Sequence, residues 1–147
     1  MKKIYIAGQH VFHKDVAEIS LSLKSICEEY GLEGLFPMDN KCITADEIFE
    51  CNINLIKDAD FIVAYVEPFR GISIDPGTAM EIGFARALNK PIYAYKEDHS
   101  EYKKRAHPSE EYPLVEDFGL GENLMIEKAC SSINNSFLDC IIKISSI

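Results

Sequence analysis

The chain has 147 residues, of which 47% are hydrophobic and 27% are charged, so it can form the core of one domain of ordinary size. Its formal net charge of −9 argues against a nucleic acid as partner, because phosphate binding needs a basic face, but it does not exclude single nucleosides, which carry no phosphate. We find neither a signal peptide nor a run of roughly 20 apolar residues, and therefore expect a cytoplasmic protein that does not span a membrane.

Strands and helices are predicted to alternate along the chain. Apolar runs and helical spacing predict a strand at 3–7, a helix at 16–30, a strand at 32–37, a helix at 44–57, a strand at 61–66, a helix at 76–88, a strand at 91–95 and a terminal helix from 125 to about 144. This alternation predicts an α/β fold, a flavodoxin-like or Rossmann-like doubly wound sheet that is mostly parallel, with helices on both faces.

Several helix ends carry local signals. Gly31 stands where a helix C-cap belongs, and Thr44 with Glu47 forms a capping box. Asp75 is placed to be an N-cap, with Pro76 at the first helical position. We expect a single domain over residues 1–147, in which residues 96–113, polar and without periodicity, form an exposed insertion.

The five cysteines are odd in number, widely spaced and without a CxxC pair. This pattern argues against a zinc site, and we expect free thiols in a reducing compartment. The four histidines likewise have no metal-ligand spacing.

In a parallel sheet of this kind, ligands bind at the carboxyl ends of the strands. The loops at residues 8–14 and 67–75 would flank that crevice. The first turn, AGQHVFH, lacks G-x-G-x-x-G, which argues against a dinucleotide site.

Glu81 is the main candidate for chemistry. Only Glu81 and Arg86 are charged between residues 79 and 88, and their spacing of five does not place them on one helix face. A carboxylate in so apolar a helix is costly to bury. It is either a nucleophile suited to a sugar's anomeric carbon or a buried group satisfied by Thr78 or a backbone donor, and periodicity alone does not decide.

Asp75 and Tyr5 are the candidates to assist Glu81. Asp75 is either an acid that protonates a leaving group or simply a helix N-cap. An ideal helix turns positions 75 and 81 roughly 120° apart, so the two meet only if Asp75 belongs to the preceding loop. Tyr5, near the end of the first strand, either orients Glu81 by a hydrogen bond or is a core aromatic residue with its hydroxyl at the edge.

Three further polar residues have two interpretations each. Asn52 is a ligand contact or a solvated helix residue, Asp39 a ligand contact or a turn residue, and Arg70 covers a bound base or lies at the surface.

The segments KIYIAG, FPMDN, IFECNINLIKDADFIVAYVEPFRG, DPGTAMEIGFARALNKPIYAY and NLM follow one another in order. With these segments the chain resembles the nucleoside 2-deoxyribosyltransferase family. The resemblance implies that Glu81 of the D-x-G-x-x-x-E pattern is the nucleophile, that Asp75 contacts the base and helps to protonate it, and that Tyr5 holds the nucleophile. It also implies that Asn123 binds the sugar hydroxyl in a neighbouring subunit's site.

The same resemblance implies a 2′-deoxynucleoside and a free nucleobase as substrates, a homo-oligomer, and no cofactor or metal. The positions expected to contact the substrate are Gly8, Asp39, Asn52, Arg70, Gly77, Asn123 and Met125. Lys41 and Asn52 replace Gln and Asp of some members, which leaves the choice of base open. Two other functions remain open, namely an N-glycosidase of 2′-deoxynucleoside 5′-monophosphates and a non-catalytic nucleoside sensor.

Overall fold

The computed structural model describes all 147 residues and contains one five-stranded parallel sheet in the order β2-β1-β3-β4-β5. In chain order the elements are β1 (Lys2–Ala7), a 3-10 helix (Gln9–Phe12), α1 (Val16–Glu29), β2 (Leu32–Leu35), α2 (Ala45–Asp58), β3 (Phe61–Tyr65), α3 (Pro76–Ala87), β4 (Ile92–Tyr95), α4 (Tyr102–Arg105), α5 (Leu124–Ala129), β5 (Ser132–Asn134) and α6 (Phe137–Ser145). The predicted α/β class is confirmed, and the strand order is the flavodoxin-like one.

The sheet is covered on both faces, and each face has its own hydrophobic core. Alternate residues of β1 point to opposite faces: Ile4 and Ile6 pack with α1 and α6, whereas Tyr5 and Ala7 pack with α2 and α3. All four of these residues are buried. Tyr5 therefore lies on the same face of the sheet as α3, which carries Glu81.

The predicted helix ends are confirmed at three places. Thr44 Oγ1 accepts a hydrogen bond from Glu47 N at 3.2 Å, and the Glu47 carboxylate accepts one from Thr44 N at 3.3 Å, which completes the capping box of α2. Asp75 caps α3 by accepting from Thr78 N at 2.9 Å, with Pro76 in the first turn. Gly31, which follows Tyr30, the C-cap of α1, has a φ of 72°, the left-handed conformation that favours glycine.

The single terminal helix predicted from residue 125 onward is wrong. The chain forms α5, then the short strand β5, then α6. Tyr95 of β4 pairs with Asn134 of β5, and the buried Asn134 side chain donates to Ala94 O at 3.0 Å. The apolar spacing suited a helix, but the Ser- and Asn-rich run at 131–136 interrupts it, and Ser136 caps α6.

The expectation of five free thiols is wrong for one pair, because Cys42 and Cys51 form a disulfide. They are nine residues apart, and the fold of the loop before α2 brings them together. Cys27, Cys130 and Cys140 are free.

The segment at 96–113 is not exposed throughout. It contains α4, and its first residue, Lys96, is buried, while most residues from 107 to 113 are exposed. No helix in the structure combines the length and the apolar character that crossing a membrane requires.

Candidate active site

A cavity of about 860 Å³ opens at the carboxyl end of the sheet, between the first loop, α2 and the start of α3. This is the position that the doubly wound fold predicts for a ligand, beside the point where the strand order reverses between β1 and β3. The residues that line it are Gly8, Val11, Phe12, Pro37, Met38, Asn40, Lys41, Cys42, Ala45, Ile48, Phe49, Asn52, Ile53, Ile56, Asp75, Gly77, Met80 and Glu81. Its wall is largely apolar, with a few polar groups, as is usual for small-molecule sites.

Glu81 lies in this wall, half-buried, in the second turn of α3. Its Oε2 accepts a hydrogen bond from the Tyr5 hydroxyl, and no lysine or arginine forms an ion pair with it. Burial, the largest influence, raises the pKa of Glu81, the hydrogen bond from Tyr5 lowers it and charge repulsion by Asp75 raises it, for a net pKa of about 7. The carboxyl group is thus poised to change its protonation state near neutral pH.

Tyr5 is fully buried at the centre of β1 and reaches Glu81 across 76 residues of sequence. Burial, followed by the nearby charge of Glu81, raises the pKa of Tyr5. The hydroxyl therefore remains protonated and serves as a permanent donor to the carboxylate.

Asp75 ends the loop after β3 and begins α3, and it lines the same cavity as Glu81. Both of its hydrogen bonds, from Thr78 N at 2.9 Å and from Thr78 Oγ1 at 3.0 Å, are accepted by Oδ2. Oδ1 accepts none within the chain. Asp75 is thus both a helix cap and a cavity residue, so the two roles considered for it are compatible.

Two glycines allow the backbone to approach the cavity closely. A Cβ on Gly8, whose φ is 146°, would lie 2.8 Å from Tyr65 Cβ, so no side chain fits there. A Cβ on Gly77 would lie 3.2 Å from Asp75 Oδ2 and crowd that carboxylate. Both positions must stay small for the first loop and the start of α3 to keep their shape.

Asn52 faces the cavity from α2, and its Oδ1 is buried without a hydrogen-bond partner in the chain. A buried carbonyl oxygen without a donor is unfavourable, so this atom is suited to accept a hydrogen bond from a ligand. Lys41 is the cation in the cavity wall.

Besides Tyr5, which reaches the site through its bond to Glu81, four residues expected at the site do not line this cavity. Asp39 accepts from Phe36 N at 2.8 Å and pairs with Lys24, so its carboxylate holds the turn. The Arg70 guanidinium lies over the rings of Phe12 and Phe69, at 5.0 Å and 4.5 Å.

The other two lie in the segment before and within α5. Asn123 caps α5 and donates to Glu116 Oε1 at 2.9 Å. Met125 is 73% exposed. Neither of them lines the cavity of a single subunit.

The apolar side chains of the cavity wall were not identified as site residues from the sequence. Phe12, Met38, Ile48, Phe49 and Met80 line the cavity, although each is more than 40% exposed. The available signal was the adjacent apolar pair Ile48 and Phe49, which follows directly after the capping box of α2. No group of three or more His, Cys, Asp or Glu side chains is arranged to hold a metal.

The comparisons with protein families and with solved structures indicate the same family. The family described as nucleoside 2-deoxyribosyltransferase matches residues 4–125. A solved 2-desoxiribosyltransferase from Leishmania mexicana is 32% identical, with a TM-score of 0.88 over 99% of this chain and 98% of that one. A CMP N-glycosidase from Clostridium botulinum, 19% identical with a TM-score of 0.57 over 99% of this chain and 100% of that one, shares the fold.

Among curated proteins, an uncharacterised protein of Schizosaccharomyces pombe is 30% identical over 112 residues, which are 69% of this chain and 53% of that protein. The chain therefore spans about half the length of this relative.

Proposed function

This chain belongs to the nucleoside 2-deoxyribosyltransferase family, and we propose that it moves 2-deoxyribose from one nucleobase to another through a covalent ester on Glu81. The observation that carries the proposal is the environment of Glu81. Its carboxylate faces a largely apolar cavity, has no cation partner and is held by a buried tyrosine hydroxyl. A carboxylate kept from water and from cations retains the electron density needed for attack on carbon.

In the first half of the reaction, a Glu81 oxygen forms a bond to C1′ of the 2′-deoxynucleoside as the bond from C1′ to the base nitrogen breaks. Asp75 relays a proton from solvent to the departing base, which leaves neutral. Tyr5 keeps the attacking carboxylate in one orientation, which lowers the entropy cost of reaching the transition state.

In the second half, a nitrogen of another base attacks C1′, and its proton passes to the Asp75 carboxylate. Glu81 departs as a carboxylate. The two displacements each invert C1′, so the product keeps the starting anomeric configuration. Water in place of the second base would give hydrolysis, the related N-glycosidase reaction.

The buried oxygen of Asn52 supports a base contact, because nucleobases present amino and ring N–H donors. The resemblance implies that Asn123 acts in a neighbouring subunit's site. We therefore propose a homo-oligomer, in which the N-terminus of α5 supplies the sugar contact that the isolated cavity lacks.

The test is a base-exchange assay, read by chromatography, with 2′-deoxyinosine or thymidine as donor and free purine and pyrimidine bases as acceptors. We expect exchange by the wild type and none by Glu81→Ala, and mass spectrometry of the donor mixture should find a deoxyribosyl adduct on the wild type alone. Tight nucleoside binding without an adduct would instead support a sensor. Cleavage confined to 5′-monophosphates would support the N-glycosidase.

A further inference from the structure

A second buried carboxylate lies behind the active-site loop and takes no part in the proposed reaction. Glu122 is 1% exposed, and its oxygens accept three hydrogen bonds: from Ser73 Oγ at 2.5 Å, from Ile74 N at 3.2 Å and from Asn123 N at 2.8 Å. Burying a carboxylate is costly unless such donors compensate it. Here the three donors compensate the buried charge, and in return the carboxylate holds them in place.

The three donors belong to two segments that are far apart in sequence. Ser73 and Ile74 directly precede Asp75, while Asn123 is the N-cap of α5. One carboxylate thus ties the end of the loop after β3 to the start of α5, across 48 residues between Ile74 and Glu122.

Cationic side chains complete this connection. Lys96, also 1% exposed, donates from Nζ to Gly121 O at 2.9 Å, beside Glu122. Burial lowers the pKa of Lys96, Arg105 lowers it further, and Glu122 counteracts both. Arg105 donates to Ile72 O at 3.1 Å and to Gly121 O at 2.6 Å, so the loop is held immediately before Ser73 as well.

Residues 66–75 form neither helix nor strand, so the loop is held by individual contacts. Asp75 is held on its far side by its bonds to Thr78 and by the bond from Ala79 N to Asp75 O at 3.0 Å. On the near side, Phe69 N donates to Ser73 O at 2.9 Å and the Ile74 side chain is buried in the core. Glu122 adds the bonds that tie the two residues before Asp75 to the start of α5.

We propose that Glu122 is a positioning residue, which fixes the loop at Ser73 and Ile74 so that Asp75 is held against the same cavity as Glu81. This inference rests on the proposed function, because it assigns Asp75 the transfer of a proton to and from the base. Misplacing a proton donor affects the transition state more than the bound substrate, so kcat should suffer more than KM.

The test compares Ser73→Ala with Ser136→Ala. Both changes delete one serine hydroxyl that makes one hydrogen bond, but Ser136 caps α6 on the other face of the sheet. We expect Ser73→Ala to lower kcat for base exchange about tenfold, a fraction of the usual effect of a general acid, with KM changed by less than about twofold. Ser136→Ala should leave both constants unchanged, and Ser73→Thr, which restores the hydroxyl, should recover kcat.

Glu122→Gln is the second variant, measured together with amide hydrogen exchange of a peptide covering residues 72–75. We expect faster exchange at the Ile74 amide and a kcat loss at least as large as in Ser73→Ala. Wild-type kcat in both variants, with or without faster exchange, would overturn the positioning role while leaving the transferase activity intact. A wild type inactive in base exchange would refute the proposed function, and the positioning role with it.

Discussion

The carboxyl group of Glu81 is subject to opposing influences, and their balance decides when it can react. Burial and the charge of Asp75 raise its pKa to about 7, while the hydroxyl of Tyr5 stabilises the charged form. In the proposed reaction, Glu81 must be ionised to attack C1′. The protonation state of this one residue should therefore be visible both in the kinetics and in the stability of the protein.

In the kinetics, kcat/KM for base exchange should rise with pH on an acid limb centred near 7, the pKa of Glu81 in the free protein. Tyr5→Phe removes the hydrogen bond that lowers this pKa, so the midpoint should move to higher pH and the maximum rate should fall. Initial rates at low substrate concentration, from about pH 5 to about pH 9, measure both. Tyr93→Phe, on the opposite face of the sheet, is the matched control; an unmoved midpoint in Tyr5→Phe would argue against the assigned role of the bond.

In the stability, the raised pKa of Glu81 means that the folded state binds its proton more tightly than the unfolded state, whose pKa is near 4.5. This contribution is fully present below pH 4.5 and is lost as the pH rises through about 7. Because Glu81→Gln cannot ionise, it does not lose stability in this way. Its free energy of unfolding minus that of the wild type should therefore increase between these pH values, by up to about 3 kcal/mol. Urea unfolding at about pH 5 and about pH 8 measures the difference; a gap that stays constant or shrinks would contradict the prediction.

At the scale of elements, the caps at the starts of α2 and α3 could be predicted, because a cap depends on residues within one turn. Thr44 bonds Glu47, and Asp75 bonds Thr78. The continuous terminal helix was predicted wrongly, because β5 forms only by pairing with β4, and sequence periodicity does not report a distant partner.

The capping box of α2 supports the wall that carries Asn52, Ile48 and Phe49. Thr44→Ala removes the acceptor for the Glu47 amide and should lower the free energy of unfolding by about 1 kcal/mol. Thr44→Ser, which keeps the hydroxyl, should be close to the wild type. Urea unfolding of the three proteins checks this; equal stability of the Ala and Ser variants would show that the cap contributes nothing measurable.

At the scale of the whole molecule, the cavity in one subunit brings together Glu81, Asp75 and Asn52 but not Asn123. The side-chain oxygen of Asn123 accepts from Met125 N at 2.9 Å at the start of α5, beside the exposed Met125. An active site completed by a second copy would account for this separation, because a symmetric interface can place residues of one subunit at the cavity of another.

Subunit sharing is tested by mixing two inactive variants. Glu81→Ala and Asn123→Ala, unfolded and refolded together, can form oligomers in which one site has Glu81 from one chain and Asn123 from the other. For randomly assorted dimers, about one quarter of the wild-type activity should return. Glu81→Ala refolded with Glu81→Gln is the control and should remain inactive. No recovery in the first mixture would indicate that each site is built from one chain.

The sequence by itself determined the features that depend on neighbouring residues: the alternation of strands and helices, the caps at Thr44 and Asp75, and the presence of one carboxylate, Glu81, with no cation on its face of an apolar helix. Local hydrogen bonds and side-chain periodicity are enough to specify these. The tertiary structure alone decided that the hydroxyl of Tyr5 reaches Glu81, that Cys42 meets Cys51 and that Glu122 holds the loop before Asp75. The contacts of Tyr5 and Glu122 join segments that are separated in sequence by whole strand–helix crossovers of the sheet. The disulfide between Cys42 and Cys51 depends on how the loop before α2 folds back. The packing of the whole chain brings these groups together, and no short stretch of sequence encodes it.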